Sequence, residues 1–210
     1  MRMSRVLLVF ARAPAPGGAK TRLAPRLDAW RAARLQARLT EHALSTARRA
    51  RCGPVELHVT PARGHTFFRY CRNKFKIAVE SQQGTDLGER MHGAFTRALR
   101  RHRVAVLIGS DCPELAPRDL RRAARLLCGS CDAVLAPAED GGYGLIALRR
   151  ASRTLFEGMP WGGPEVYRDT VKRLIASGLR WRALRTIWDV DRPEDLGRLS
   201  ALLLRCRSAR

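Results

Sequence analysis

Four stretches of this 210-residue chain combine side chains that could do chemistry. The first runs from Ala11 to Leu23 and carries Arg12, Gly17, Gly18, Lys20 and Arg22. Glycines let backbone N–H groups approach a ligand, and three cations so close together suit a diphosphate. The same stretch also reads as a proline-braced surface loop with solvated arginines. It is not a Walker A loop, because Ala19 precedes Lys20 and Pro14 stands where the earlier glycine belongs. The second stretch is Gly109-Ser110-Asp111-Cys112-Pro113. Asp111 directly follows an apolar run. A carboxylate at a strand end can hold Mg²⁺ or Mn²⁺ against substrate phosphates, with water completing the octahedron. An Asp in that place can equally start a helix.

The third stretch, Glu139–Tyr143, sets two acids before two glycines. That makes either a turn a ligand can approach closely or a plain Asp-Gly hairpin. Asp140 is the candidate catalytic group, either orienting and deprotonating an acceptor or binding sugar hydroxyls. The fourth is Trp188–Leu196. Glu194 and Asp195 offset the dipole of a helix that Pro193 opens. Asp189 and Asp191 have no such role. Two apart, they project to one side of an extended backbone and make a second metal arm. Asp86, within Gln82–Met91, is either a helix N-cap or a contact to a base or ribose.

Strands and helices alternate around these stretches. Val6–Ala11 and Val104–Gly109 are continuous apolar runs, as in strands covered on both faces. Val55–Thr60, Ile77–Glu80, Asp132–Pro137 and Tyr143–Leu148 also read as strands, and Trp181–Trp188 as extended. Helices are predicted from an Asp28 cap to about Arg49, over Leu87–Arg101, Arg118–Cys128, Glu165–Ala176 and Glu194–Leu204. This order predicts a three-layer α/β/α fold with a mostly parallel mixed sheet. Such sheets bind ligands beyond the carboxyl ends of their strands, where the loops of the first, fourth and fifth strands would meet.

Length and composition predict one folded unit spanning 1–210. Apolar residues make up 45% and charged residues 28%, which excludes wholesale disorder. No apolar run approaches membrane-span length and no signal peptide is readable, so a cytoplasmic protein is expected. The net charge is +21. Residues 1–105 carry 22 basic and 6 acidic groups, against 18 and 13 in residues 106–210. Anion-binding elements are therefore expected early and metal-binding ones late. A charge-driven nucleic-acid module has little else behind it. Aromatics are 6%, and the one cluster near cations is Phe67, Phe68 and Tyr70. The cysteines read as free thiols. Cys128 and Cys131 have redox spacing but fall where a helix ends, whereas a redox pair opens one. The five histidines show no metal spacing, and His58 reads as structural.

Taken together, the motifs resemble a bacterial family of GT-A-like transferases. The residues that carry the resemblance are Ala11-Arg-Ala-Pro-x-Pro-Gly-x-x-Lys20-Thr-Arg22-Leu, Gln83-Gly-x-Asp86-Leu-Gly-x-Arg90-Met91, Ile108-Gly-Ser-Asp111-Cys-Pro-x-Leu115, Asp140-Gly-Gly-Tyr143 and Asp189-Val-Asp191-x-Pro-Glu-Asp-Leu196. The match spans about residues 6–197 and departs at Gly163-Pro164. The family is described as radical-SAM/selenodomain-associated or arsenosugar-type glycosyltransferases. It looks distantly similar to molybdenum cofactor guanylyltransferase and 2-phospholactate guanylyltransferase. The resemblance implies a nucleotide-diphospho-sugar transferase fold with Arg12, Lys20 and Arg22 facing phosphates. It also implies Asp111 and Asp191 on a divalent metal. Expected partners are a nucleotide sugar or nucleoside triphosphate and a small-molecule acceptor, with nucleic acid not expected. Glycosyl transfer leads, and nucleotidyl transfer releasing pyrophosphate is the alternative.

Overall fold

The computed structural model describes residues 4–61, 63–129 and 131–208, and side chains up to residue 202. A seven-stranded sheet holds them together. In chain order its strands are β1 Arg5–Arg12, β2 Val55–Thr60, β3 Ala78–Ser81, β4 Val104–Gly109, β5 Ala133–Pro137, β6 Tyr143–Leu148 and β7 Trp181–Ala183. The helices are α1 Ala29–Ala50, α2 Thr66–Phe75, α3 Leu87–Leu99, α4 Pro117–Cys128, α5 Val166–Ala176 and α6 Asp195–Ser208. Strands lie in the order β3-β2-β1-β4-β6-β5-β7. All neighbours are parallel except β6, which runs antiparallel to both β4 and β5. The fold is the expected three-layer, mostly parallel α/β/α sheet.

The central strands show why their sequences lack alternation. In β1, Leu7, Val9 and Ala11 enter one apolar layer, and Val6, Leu8 and Phe10 enter the other. Both faces are covered by helices, so every side chain from Val6 to Ala11 is apolar. α1, α2 and α4 seal the first layer, through residues such as Leu44, Phe68 and Leu120. α3 and α5 seal the second, through Phe95 and Leu174. A third, smaller cluster joins Leu23, Leu39, Trp188, Val190 and Leu199. It ties the first loop to the late segment that precedes α6.

Two expectations need correcting. Thr66–Phe75 forms a helix that hydropathy did not predict, because His65 caps it with its ring nitrogen and only Phe68 and Cys71 reach the core. Phe68 is therefore interior, and Phe67 is partly buried against the core. The extended segment at 181–188 is a strand only over Trp181–Ala183, followed by one bridge from Ile187 to Ala138. Smaller differences are of one or a few residues: α4 starts at Pro117 and α6 runs on to Ser208. Cys128 ends α4 as expected, and His58 is interior, bonded to Glu56 and stacked on Phe10. Among the described residues no helix is long and apolar enough to cross a membrane.

Candidate active site

A cleft of about 510 Å³ opens beyond the carboxyl ends of β1, β2 and β4, against the start of β6. Cleft-sized volumes of this kind suit nucleotide-sized ligands. The chain leaves β1 toward β2 on one side and returns from β3 to β4 on the other. The cleft thus sits at the switch point between β1 and β4.

The first loop brings in two cations. Arg12, at the end of β1, lines the cleft and donates to the Gly18 carbonyl oxygen at 3.3 Å. Lys20 adopts a left-handed backbone (φ 53°) at the start of a short 3₁₀ turn over Thr21–Leu23. Its side chain is only 6% exposed and reaches Asp111 Oδ2 at 3.5 Å. Leu23, fully buried in the third cluster, anchors the turn behind it. Arg22 lies outside the cleft lining, exposed at the rim, and its Nη1 donates to Asp191 Oδ2 at 2.7 Å. That bond, before any other influence, holds the guanidinium above its ordinary pKa.

The acids arrive from three loops. Asp111 follows β4, Asp140 sits in the β5–β6 turn, and Asp189 and Asp191 precede α6; all four line the cleft. The N–H of Val190 donates to the Asp111 carbonyl oxygen, and that of Glu139 to the Ile187 carbonyl oxygen. These bonds draw the late segment to both other loops. Asp140 accepts from the Gly142 N–H at 2.9 Å, closing its turn. Gly141 (φ +89°) packs so tightly on Pro164 that a Cβ would overlap the Pro164 carbonyl. Burial, together with the charges of Asp111 and Asp140, pushes the Asp189 carboxyl up to about 6. The same acids sit over Cys112, whose thiol is raised first by burial and then by Asp111 and Asp189.

The chain carries the signature of a known family. A family profile described as "Uncharacterized protein conserved in bacteria (DUF2064)" matches residues 43–163. The chain belongs to this family. Among solved structures, the DUF2064 chain is similar to a protein of Desulfovibrio desulfuricans G20 described as a candidate nucleotide-diphospho-sugar transferase. The two share 31% identity and a TM-score of 0.82, over 90% of this chain and 84% of that one. CMP:2-keto-3-deoxy-manno-octonic acid synthetase, solved with CTP, shares the fold at 15% identity and TM-score 0.63, over 96% and 99%. Glucosyl-3-phosphoglycerate synthase of Mycobacterium tuberculosis, solved with Mn²⁺, UDP and product, does so at 15% and 0.57, over 93% and 75%. No curated protein matches the chain. The structural neighbours of this DUF2064 protein are thus nucleotidyl and glycosyl transferases that use nucleotide substrates.

Not every residue singled out in the DUF2064 sequence reaches the cleft. Gly17 lies outside its lining and serves the loop's turn with φ +73°. Asp86 lies outside it too. It caps α3, accepting from the Glu89 N–H at 2.8 Å, so of its two readings the cap is the one realised. The three carboxylates expected on a metal, Asp111, Asp189 and Asp191, all line the cleft. Among the described residues no three His, Cys, Asp or Glu side chains stand close enough to hold an ion on their own. Asp191 accepts from Arg22, whereas Asp189, half-buried, feels the charges of Asp111 and Asp140.

Three further lining residues received no role from the sequence reading. Gln36 is buried in α1 and donates to Ser110 Oγ at 3.0 Å, bracing the loop that presents Asp111. Its signal was legible as the lone amide on the apolar stripe of Ala32, Ala33, Leu39 and Ala43. Gln82 donates to the His58 carbonyl oxygen at 2.9 Å and stands beside β2. Arg90 adds a third cation to the lining, its Nε donating to the Gly84 carbonyl oxygen at 3.0 Å. No spacing rule marks the last two.

Proposed function

We propose that the cleft transfers a group from a nucleotide-activated donor, the group being the glycosyl unit of a nucleoside diphosphate sugar. One observation carries the reading: the buried Lys20 ammonium meets Asp111 at the mouth of a nucleotide-sized cleft that three further carboxylates line. Cations and acids set side by side in one cleft suit a diphosphate bound with a divalent cation.

The donor set fits Mg²⁺ or Mn²⁺. Burial first, then the charges of Asp111 and Asp140, raise the Asp189 carboxyl, with Lys20 and a backbone hydrogen bond opposing them. A dication there would relieve that repulsion. Both ions accept one or two protein carboxylates, with water and phosphate oxygens completing the shell. We assign Asp111 and Asp189 to hold the ion, with Asp191 at its edge. When bound, such an ion neutralises the diphosphate and the departing nucleotide.

The remaining work falls to the chain's own residues. Lys20 and Arg12 bind phosphate oxygens and hold the leaving nucleoside diphosphate in place. Arg22 fixes Asp191. Asp140, exposed at the cleft edge and pinned by its turn, orients the acceptor hydroxyl and takes its proton. The low-dielectric floor formed by Phe10, Met91 and Leu107 keeps water away from the reacting carbon.

Nucleotidyl transfer is the second reading. The observation favouring it is the third lining cation, Arg90, which gives Arg12, Lys20 and Arg90 enough charge for a triphosphate. A product assay separates the two. The chain is screened by thermal shift with nucleoside diphosphate sugars and nucleoside triphosphates, with and without Mn²⁺, and the stabilising pair is assayed with acceptors. Release of nucleoside diphosphate supports glycosyl transfer, and release of pyrophosphate supports nucleotidyl transfer. Stabilisation by neither class, with or without metal, removes both.

A further inference from the structure

The two faces of the sheet carry their arginines differently. On the α3–α5 side several cations meet carboxylates, while Arg100, Arg103 and Arg150 do not. Arg101 pairs with Glu56, Arg153 with Glu157, Arg168 with Glu165 and Lys172 with Asp169. On the α1–α4 side the acids are few and already taken. Asp28 pairs with Arg31, Glu41 with Lys74 and Asp119 with Arg185. Among those left over are Arg34, Arg38 and Arg49 of α1 and Arg121, Arg122 and Arg125 of α4. All six are exposed, with no carboxylate partner among the described residues.

These arginines form one surface. α1 and α4 seal the same apolar layer side by side, and Arg121 Nη1 donates to the Arg49 carbonyl oxygen at 3.4 Å. Positions 31, 34, 38, 45 and 49 share one side of α1, a helix about 33 Å long. Trp30 opens that side and is 72% exposed, the most exposed large apolar side chain described. A tryptophan beside a row of cations suits the interfacial zone of a bilayer, where the indole sits at headgroup depth.

We propose that the α1–α4 face docks on an anionic lipid bilayer, with its arginines on headgroup phosphates and Trp30 in the interface. This inference does not depend on the transferase reading. Lipid is favoured over nucleic acid because Trp30 is a single largely exposed ring beside these arginines, and one indole serves as an interface anchor whereas strand binding stacks successive bases. Phe68 is buried in the core layer, Phe67 is partly buried against it, and the Lys74 ammonium lies over the Tyr70 ring.

The test is co-sedimentation of the full chain with phosphatidylglycerol–phosphatidylcholine vesicles and with pure phosphatidylcholine vesicles, at about 0.15 M salt. The chain is expected to sediment with the first and not the second. The triple variant Arg34→Glu/Arg38→Glu/Arg122→Glu should bind at least about tenfold more weakly. Arg100→Glu/Arg103→Glu/Arg150→Glu changes net charge equally but lies off this face, and it should bind as the parent does. Trp30→Ala should weaken binding with the charge unchanged. Neither triple removes an ion pair, and circular dichroism verifies that both fold. Equal loss in the two triples would make the attraction one of net charge alone and overturn the proposal. So would absence of sedimentation. Single-stranded RNA that binds more tightly than vesicles through the same three arginines would assign the face to nucleic acid and overturn it as well.

Discussion

The backbone N–H of Val190 donates to the carbonyl oxygen of Asp111 at 2.9 Å. This bond splices the loop after β4 to the segment before α6. Val190 is fully buried with Leu23, Leu39, Trp188 and Leu199, so the splice is held from behind by packing. Asp189 and Asp191 flank it and are presented at the cleft by a fixed backbone rather than by a free loop.

Asp111→Asn and Asp189→Asn are each expected to lower turnover at least tenfold, roughly 1.4 kcal/mol of barrier. Steady-state kinetics with the stabilising nucleotide and Mn²⁺ reads this. Asp86→Asn keeps an N-cap side chain and should leave turnover within about twofold, since Asn and Asp cap equally well. Unchanged turnover and metal dependence in Asp111→Asn would remove that carboxylate from the mechanism.

Lys20→Met tests the phosphate wall. The variant keeps the stem's volume but loses the buried ammonium beside Asp111. Titration calorimetry should show nucleotide affinity falling about tenfold or more, because a charge-assisted contact contributes on the order of 1.5–3 kcal/mol. Arg22→Ala removes an exposed rim contact and should cost much less. A larger loss for Arg22→Ala than for Lys20→Met would reverse the assignment.

Gly144 begins the buried part of β6, where a Cβ would overlap Cys112 Sγ and lie 2.6 Å from Ile187 Cδ1. Gly144→Ala should therefore destabilise the chain by about 1–3 kcal/mol, the usual cost of overpacking. Thermal melts should show a midpoint lower by several degrees. Adding Cys112→Ala removes the sulfur and should recover part of the loss. Failure of that second change to recover anything would place the strain elsewhere.

Acid should expose the Glu56 pair. Its carboxylate accepts from His58 and Arg101, and these bonds, His58 first, hold it below its ordinary value of 4.5 despite burial. A carboxyl lowered in the folded chain stabilises that chain fully above its unfolded pKa. The contribution is lost as pH falls from about 4.5 through the lower folded value. Denaturant melts across that window should show stability falling with pH, and Glu56→Gln should flatten the slope. An unchanged slope in Glu56→Gln would assign the acid sensitivity to other groups.

Local sequence determined the layered α/β fold, through side chains that need no distant partner to be read. The unbroken apolar runs of Val6–Ala11 and Val104–Gly109 could only be strands covered on both faces. Asp28 and Asp86 marked two helix starts by their capping oxygens. The α2 helix stayed hidden because only Phe68 and Cys71 of its ten residues are buried, too few to print a period. Partner choice was decided in three dimensions. Asp189 and Asp191 look alike along an extended chain, yet one feels the charge of Asp111 and the other accepts from Arg22. Gln36 became a brace only because α1 lies under Ser110. The unpaired arginines of α1 and α4 became one surface only when the helices packed side by side. Periodicity reports how a residue relates to its own backbone, whereas charge pairing depends on which strands and loops are neighbours, and sheet order sets that.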